Sequence, residues 1–398
     1  MALCHPTSRR GMVGWHSAIS PYDMTTLTRL TLGRFRNYAA LSWSPGGRIV
    51  VISGPNGSGK TNLLEAISLL APGRGLRGAK IAELAQGGSG AWAVHGRLDT
   101  SDGPSEIGTG TTEEAPERRI FRLDGTPPRN QAEIAARIAT VWLTPQMDRL
   151  FQEGASGRRR FLDRLVYAIE PGHAREVSSY ETAMASRNRL LAEGRRDPAW
   201  LAGLEDAMAR HGVAATAARR TLIAALNAAL AGGIAGAFPA ARLDLLSPIA
   251  DRLSEAPALA VEDWLRDELQ ATRPRDTAAG SAQLGAHRDD FALADLATLR
   301  PASVCSTGEQ KSLLIGTILG HASLIANGRG IQPLLLLDEP ATHLDPSRRA
   351  ALFDALQALP AQVFLTGTDA EIFVPLKGET PGGAMFWRTG ENALHAVS

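Results

Sequence analysis

The chain has 398 residues, of which 44% are hydrophobic, and its formal net charge is +1 at pH 7. This composition excludes a disordered chain, and the near-neutral charge excludes nucleic-acid binding through a strongly basic overall charge, so any such surface must be a local patch. The two cysteines, Cys4 and Cys305, are too few for a disulfide framework. No apolar run reaches the roughly 20 residues that span a bilayer. Together these observations favour a cytoplasmic protein without a membrane partner.

The N-terminal region contains an uncertain extension and then strands. Residues 1–23 have no long apolar stretch, and we expect a disordered extension or a start of translation that lies further along the chain. Residues 25–53 predict strands, because Leu30 and Leu32 alternate with polar neighbours and residues 49–52 are continuously apolar.

Residues 54–61, Gly-Pro-Asn-Gly-Ser-Gly-Lys-Thr, fit the pattern of a phosphate-binding loop between a strand and a helix. The glycines let backbone N–H groups crowd around phosphates, Lys60 supplies positive charge and the Thr61 hydroxyl is a ligand for Mg²⁺. We therefore predict ATP and Mg²⁺ as cofactors. The predicted nucleotide contacts from this segment are Gly54, Pro55, Asn56, Gly57, Ser58, Gly59, Lys60, Thr61 and Asn62.

Two basic segments are candidates for DNA binding, one after the first helix and one at the start of a later helix. Contacts to DNA phosphates without sequence readout need clustered arginine and lysine, although a solvated basic face is the more frequent meaning of such runs. The candidate residues are Arg74, Arg77, Lys80, Arg158, Arg159 and Arg160.

Between these basic segments, residues 99–117 are polar and glycine-rich and predict a loop between strands. Residues 139–143 predict a buried strand. Gln146 follows that strand and is a candidate ligand for Mg²⁺ and the attacking water.

The middle of the chain predicts helices. Residues 174–194 and 198–231 are rich in good helix formers, and Asp197 and Pro198 suit the N-cap and the first position of the second helix. This pattern predicts an antiparallel helical hairpin. A strand and a further helix are predicted at 241–246 and 261–269.

Residues 306–311, Ser-Thr-Gly-Glu-Gln-Lys, start a predicted helix over 300–328 and resemble the signature of ABC-type ATPases. Ser306 suits the N-cap, and the free N–H groups at such a helix end can bind a γ-phosphate. In ABC-type ATPases this segment contacts the nucleotide that the other subunit holds, which implies nucleotide contacts from Ser306 and Gly308 and an ATP-dependent homodimer.

Four leucines at 334–337 predict a buried strand that ends in Asp338 and Glu339. In a Walker B motif the first acid holds Mg²⁺ and the second polarises the attacking water, so we predict Asp338 as a metal ligand and Glu339, with Lys60, as catalytic. Two further nucleotide contacts are predicted beyond this motif. Residues 342–345, Thr-His-Leu-Asp, match a D-loop and contribute Asp345, and Thr368 or Thr366 replaces the switch histidine of transporters, with Thr368 preferred.

The two halves of this site flank the helical region. The sequence therefore predicts an α/β fold, namely an ABC-type ATPase head with a mixed sheet and an inserted α-helical lobe. The ATP-binding lobe is expected over residues 24–150 and 280–398, and the mainly helical lobe over residues 151–279.

Six ordered motifs resemble those of the RecF family of SMC/Rad50-like ABC ATPases. Besides the signature and Walker B segments, they are Phe-Arg-Asn-Tyr at 35–38 and the segments at 54–66, 157–163 and 285–290, the last with Ala286 where the family has proline. The resemblance implies a weak ATPase of recombinational repair whose slow hydrolysis releases DNA. It also implies binding to double-stranded DNA and single-strand/double-strand junctions, work with RecO and RecR proteins to load the recombinase, and a nucleotide contact from Arg36.

The alternative is the ATP-binding subunit of another ABC-type machine. A transport-coupled subunit is disfavoured because no histidine occupies the switch position, and an SMC-like scaffold because the long coiled coil is absent.

Overall fold

The computed structural model describes residues 24–88, 90–194, 197–234, 236, 238–377, 383–390 and 393–397. The expectation for residues 1–23 lies outside the described residues. The strands are β1 (Thr26–Phe35), β2 (Tyr38–Trp43), β3 (Ile49–Ser53), β4 (Ala93–Thr100), β5 (Gly103–Gly110), β6 (Ile120–Leu123), β7 (Thr140–Leu143), β8 (Ala241–Leu246), β9 (Asp290–Asp295), β10 (Leu334–Leu337), β11 (Val363–Gly367), β12 (Ala384–Gly390) and β13 (Ala393–Val397). The helices are α1 (Lys60–Leu70), α2 (Gln131–Ala135), α3 (Ala155–Ile169), α4 (His173–Ala192), α5 (Pro198–Ala231), α6 (Pro248–Glu255), α7 (Ala258–Ala271), α8 (Arg273–Ala279), α9 (Thr307–Arg329) and α10 (Pro346–Ala358).

A six-stranded sheet in the order β13-β12-β3-β11-β10-β7 positions the candidate site. Its strands are parallel except for the β12–β13 pair. The apolar runs of β3 and β10 are buried throughout, as expected for parallel strands that are covered on both faces. Because β11 alone separates β3 from β10, the loop after β3 and the acids after β10 meet at one edge of the sheet.

A second, antiparallel sheet has the order β2-β1-β4-β5-β6 and corrects one prediction. The predicted loop at 99–117 is wrong, because β5 pairs with β4 from Ala93↔Gly110 to Thr100↔Gly103. The inward positions of β5 include Ser105 and Thr109, which are 3% and 4% exposed. These small polar side chains hide the apolar alternation that identifies a strand in sequence.

The helical region confirms the predicted hairpin, in which α4 and α5 pack side by side. The Asp197 carboxylate caps α5, accepting hydrogen bonds from the backbone N–H groups of Ala199 (3.0 Å) and Trp200 (3.2 Å). β8 occupies the predicted residues and pairs with β9. Among the described residues, no helix combines the length and apolarity that crossing a bilayer requires.

The helical region has its own apolar core, yet it also shares the main core of the sheet. Tyr180, Met208 and Leu265 pack in the separate cluster. In contrast, Phe161 of α3 and Leu226 of α5 lie in the same buried cluster as β7 and β10 of the sheet. The proposed division after residue 150 therefore falls where the two parts are packed together.

Candidate nucleotide-binding site

The loop between β3 and α1 has the backbone of a phosphate cradle. Gly54, Gly57 and Gly59 have φ angles of 151°, 81° and 98°, which side chains with a Cβ rarely adopt. A Cβ on Gly59 would also lie 2.6 Å from the Tyr38 hydroxyl. Only glycine fits there, and α1 begins directly behind the loop, so its positive end faces the loop.

Lys60 lies at the base of this loop with its ammonium on neutral partners. The Nζ atom donates to the carbonyls of Gly54 (2.7 Å) and Pro55 (3.0 Å), and the residue is 5% exposed. Burial lowers the Lys60 pKa, while the nearby charges of Glu339 and Asp338 oppose that shift. Because no ion pair to a described residue neutralises it, its charge remains available to an anion in the loop.

Thr61 and Asp338, the predicted Mg²⁺ ligands, lie side by side. The Thr61 hydroxyl lies 3.0 Å from each carboxylate oxygen of Asp338, and the Thr366 hydroxyl donates to Oδ1 at 2.7 Å. Oxygen ligands are those that Mg²⁺ prefers, and Mg²⁺ beside phosphates needs only one or two from the protein. The Thr61 hydroxyl and the Asp338 carboxylate therefore fit Mg²⁺.

Glu339 is half-buried and has an unusual backbone. Its φ is 50°, a left-handed conformation that costs a non-glycine residue on the order of 1 kcal/mol or more. Its N–H donates to Thr366 Oγ1 at 3.0 Å, and its carbonyl accepts from Lys311 Nζ at 3.1 Å. Its carboxylate makes no hydrogen bond or ion pair with another described residue, so it can accept a proton from water.

Thr366, the less preferred alternative, is the threonine that the structure places beside the two acids. β10 and β11 are parallel with Leu337 opposite Leu365, which puts Thr366 next to Asp338. Thr366 is 0% exposed, whereas Thr368 is exposed beyond the end of β11. The exposed Gln146 follows β7 at the same edge of the sheet, because β7 pairs in parallel with β10.

The signature and the D-loop lie against each other. Ser306 caps α9 in a reciprocal capping box with Glu309 and is exposed. A Cβ on Gly308 would lie 3.1 Å from the carbonyl of His343, so the helix packs closely on the D-loop. Asp345 accepts a hydrogen bond from the Arg348 N–H at 2.8 Å and caps α10. The signature and the D-loop therefore meet at the surface, where Ser306 and Asp345 are exposed although Gly308 is buried.

Arg36 and Arg77 converge on Glu65, an interaction that the sequence did not indicate. Arg36 donates twice to the Glu65 carboxylate, with both distances 2.8 Å. Arg77, predicted as a DNA contact, donates to the same carboxylate at 2.8 Å and to Asn62 Oδ1 at 2.6 Å. Glu65 is 1% exposed, and a buried carboxylate needs such partners. Both arginines therefore brace α1 just behind the phosphate loop.

The remaining basic candidates separate into internal and exposed residues. Arg158 pairs with Asp290 at 2.7 Å, and Arg159 donates to the Asp289 carbonyl at 2.9 Å. These two guanidinium groups therefore hold the α3–β9 contact instead of facing solvent. Arg74, Lys80 and Arg160 are exposed and make no ion pair with a described residue.

A family model described as "AAA domain, putative AbiEii toxin, Type IV TA system" matches residues 49–366 of this chain. The "DNA replication and repair protein RecF" of Mesorhizobium japonicum is 49% identical over 358 residues, which cover 89% of this chain and 94% of that protein. The protein of the same description from Agrobacterium fabrum is 48% identical over 359 residues, covering 89% of this chain and 95% of that protein.

Two solved structures show the same fold at lower identity. The "Structure of the recombination mediator protein RecF-ATPrS in RecFOR pathway" matches with a TM-score of 0.82 at 22% identity, covering 95% of this chain and 99% of that one. The "Crystal structure of the SmcHead bound to the C-winged helix domain of ScpA" matches with a TM-score of 0.51 at 14% identity, covering 93% and 96%. These likenesses confirm the predicted fold class, an ABC-type head with a helical insertion.

Proposed function

This chain belongs to the RecF family of DNA replication and repair proteins, and from that premise we propose that it is an ATP-dependent DNA clamp. It binds ATP with Mg²⁺ in the cytoplasm, dimerises on the nucleotide and holds double-stranded DNA near single-strand junctions. Slow hydrolysis then releases the DNA. RecO and RecR proteins are its proposed partners in loading the recombinase.

One observation carries the ATPase part of this proposal. The Thr61 hydroxyl of the phosphate loop lies 3.0 Å from the carboxylate of Asp338, so two motifs far apart in sequence form one oxygen-lined position. A Mg²⁺ ion held there would neutralise charge that develops on the phosphates during transfer. Lys60, which forms no ion pair with a described residue, brings positive charge to the phosphate oxygens of the nucleotide. The Glu339 carboxylate accepts the proton of the attacking water.

The exposed signature supports the dimer. Ser306 caps α9 at the surface, and a capped helix end retains N–H groups and a positive dipole that attract phosphate. In a two-fold dimer each such end would meet the nucleotide of the other subunit. For DNA, we propose the exposed cations Arg74, Lys80 and Arg160, because Arg77, Arg158 and Arg159 make internal contacts.

The test is the solution mass of Glu339→Gln, measured by light scattering with and without ATP and on a gapped duplex. The variant retains the phosphate loop but loses the base, so we expect a long-lived dimer that forms only with ATP and stays on the duplex. The same sample with ADP is the matched control and should remain monomeric. A monomer under every condition would overturn both the signature contact and the clamp mechanism.

A further inference from the structure

Lys311 closes the signature segment and is 1% exposed. We propose that it is a positioning residue that orients Glu339 and makes hydrolysis depend on engagement of the signature helix. The inference rests on the proposed ATPase function and deepens it, because it identifies how the surface that meets the partner's nucleotide acts on the chain's own site.

The Lys311 ammonium joins three segments to the signature helix. Its Nζ atom contacts the Asp148 carboxylate at 3.3 Å, the Glu339 carbonyl at 3.1 Å and the Thr342 carbonyl at 2.9 Å. An ammonium has three N–H donors, and here each has one acceptor. The acceptors belong to the turn after β7, the end of the Walker B motif and the D-loop.

Among these contacts, the one to Glu339 bears directly on catalysis. At a φ of 50°, the Glu339 backbone persists only if its surroundings hold it. Thr366 fixes the peptide on the N–H side at 3.0 Å, and Lys311 fixes the carbonyl on the other side at 3.1 Å. The direction of the Glu339 carboxylate therefore depends on where Lys311 lies.

The burial of this charge needs a reason beyond packing. Burial lowers the Lys311 pKa, and the charge and hydrogen bond of Asp148 oppose that shift. Replacing a buried ion pair with apolar side chains of similar volume is often neutral or stabilising, so packing alone does not require a cation here. The three directed donors do something that an apolar chain cannot, because they fix the relative positions of four segments.

The same helix carries the signal from the partner subunit. Ser306 caps α9 at the surface, and Lys311 lies little more than one helical turn further along the rigid helix. Gly308 packs on the D-loop carbonyl of His343, so a displacement of the helix start would press on the D-loop. A shift of α9 when Ser306 meets the partner's phosphate would reach Glu339 through Lys311. By linkage, occupancy of the chain's own site would bias the signature in return.

The test compares Lys311→Met with Ser312→Ala. Methionine keeps the length and apolar stem of lysine but removes all three donors. Ser312 is the adjacent, fully buried residue, and among the described residues its hydroxyl bonds only to the Gly308 carbonyl, at 2.8 Å. We expect Lys311→Met to lower kcat about 10- to 100-fold while the KM for ATP and ATP-driven dimerisation change less than about twofold. Ser312→Ala should leave kcat within about twofold.

Combining Lys311→Met with Glu339→Gln separates positioning from a general structural effect. If Lys311 acts through Glu339, the double variant should hydrolyse ATP no more slowly than Glu339→Gln alone in single-turnover measurements. A wild-type kcat for Lys311→Met, or equal rate losses in both backgrounds, would overturn the inference. Failure of Glu339→Gln to dimerise with ATP would instead overturn the proposed function itself.

If Lys311→Met does not fold, Lys311→Arg decides the question. The guanidinium keeps the charge, but its donors lie in one plane and cannot reach three acceptors grouped around one nitrogen. We expect retained dimerisation with a reduced kcat, and a full wild-type kcat would contradict the positioning role.

Discussion

Two regions of this molecule bury charges, and they do so in opposite ways. The lobe junction, formed by Asp163, His173, Arg219 and Asp289, is closed: Arg219 donates to both oxygens of Asp163 at 2.8 and 3.0 Å and to Asp289 at 2.7 Å. The nucleotide edge, formed by Lys60, Asp338 and Glu339, is open: Lys60 donates to neutral carbonyls, and neither Lys60 nor Glu339 forms an ion pair with another described residue. At the junction, removing one partner would leave the opposite charges buried and unpaired, whereas Lys60 and Glu339 have no ionic partner among the described residues and are available to a ligand.

The electrostatics of the lobe junction agree with this difference. Burial raises the pKa of the Asp163 carboxyl, but the hydrogen bond from His173 and the charge of Arg219 outweigh it and leave the pKa below its ordinary value. His173 Nε2 lies 2.7 Å from Asp163, and Thr216 donates to Asp289 at 2.7 Å. The junction therefore joins the motifs at 157–163 and 285–290 through α5, which assigns them a structural role.

The largest effect is expected at the nucleotide edge. Lys60→Ala should abolish ATP binding, measured by titration calorimetry, because the phosphates lose the unpaired cation that faces them. The free energy of unfolding should change by less than about 1 kcal/mol, since among the described residues the Lys60 ammonium donates only to carbonyls of its own loop. Exposed Lys80→Ala is the control and should bind ATP normally. If Lys60→Ala still dimerises with ATP, the Lys60 charge is not needed to bind the phosphates, and the proposed role of the nucleotide edge is wrong.

The same kind of change at the lobe junction should act on stability instead. Arg219→Met leaves Asp163 and Asp289 buried without their shared cation, which is expected to cost about 3–5 kcal/mol in the free energy of unfolding. Urea denaturation would measure this loss. The neighbouring Arg220 is exposed, so Arg220→Met is the matched control and should change stability by less than about 0.5 kcal/mol. Similar stabilities for the two variants would show that the junction is not closed.

Sequence alone predicted the parts of the site that are contiguous along the chain. The phosphate loop, the leucine run of β10 and the cap at Asp197 each carry their chemistry within a few residues, so local pattern sufficed. What it missed depends on register and long-range contact. Thr366 reaches Asp338 through the pairing of β10 with β11, and Lys311 meets Glu339 through the packing of a helix on a loop.

The arginines at 158–160 show that sequence alone also does not reveal which charges are paired inside the fold. In sequence they form one basic run, but α3 turns Arg158 toward Asp290 and Arg159 toward the Asp289 carbonyl, while Arg160 is exposed. A basic run does not tell which of its charges will be paired inside the fold, because the partners lie more than a hundred residues away.

His321 is a third kind of buried group, because its protonation changes within an accessible pH range. His321 on α9 donates from Nε2 to the Leu165 carbonyl at 2.8 Å, and its buried Nδ1 has no hydrogen-bond partner in the part of the chain that the structure describes. Burial lowers the His321 pKa from 6.5 to about 4. The unfolded chain therefore binds a proton first as the pH falls, and stability present above pH 6.5 is lost toward pH 4, by on the order of 2–3 kcal/mol from this group.

Urea denaturation of His321→Gln across that pH range would measure this loss. Glutamine retains a donor for the Leu165 carbonyl but does not titrate. The wild-type and variant curves should therefore diverge as the pH falls, with the variant losing less stability. Parallel curves would show that folding does not shift the His321 pKa, so burial would not disfavour its charged form.

The smallest effects are expected for two neighbouring arginines, Arg158, which is paired inside the fold, and Arg160, which is exposed. Arg160→Ala should weaken binding to duplex DNA only a few-fold and reduce the slope of log K against log salt by about 0.9, the value for one lost phosphate contact. Its stability should be unchanged, because the residue is exposed.

Arg158→Ala removes the ion pair to Asp290 at 2.7 Å, so it should lower the free energy of unfolding by about 1 kcal/mol and leave the salt slope as it was. Binding measured at several salt concentrations, with urea denaturation of the same samples, resolves the two effects. If Arg158→Ala changed the salt slope and Arg160→Ala did not, Arg158 would be the residue that contacts DNA. An ion pair in the free protein would then not exclude an arginine from DNA binding.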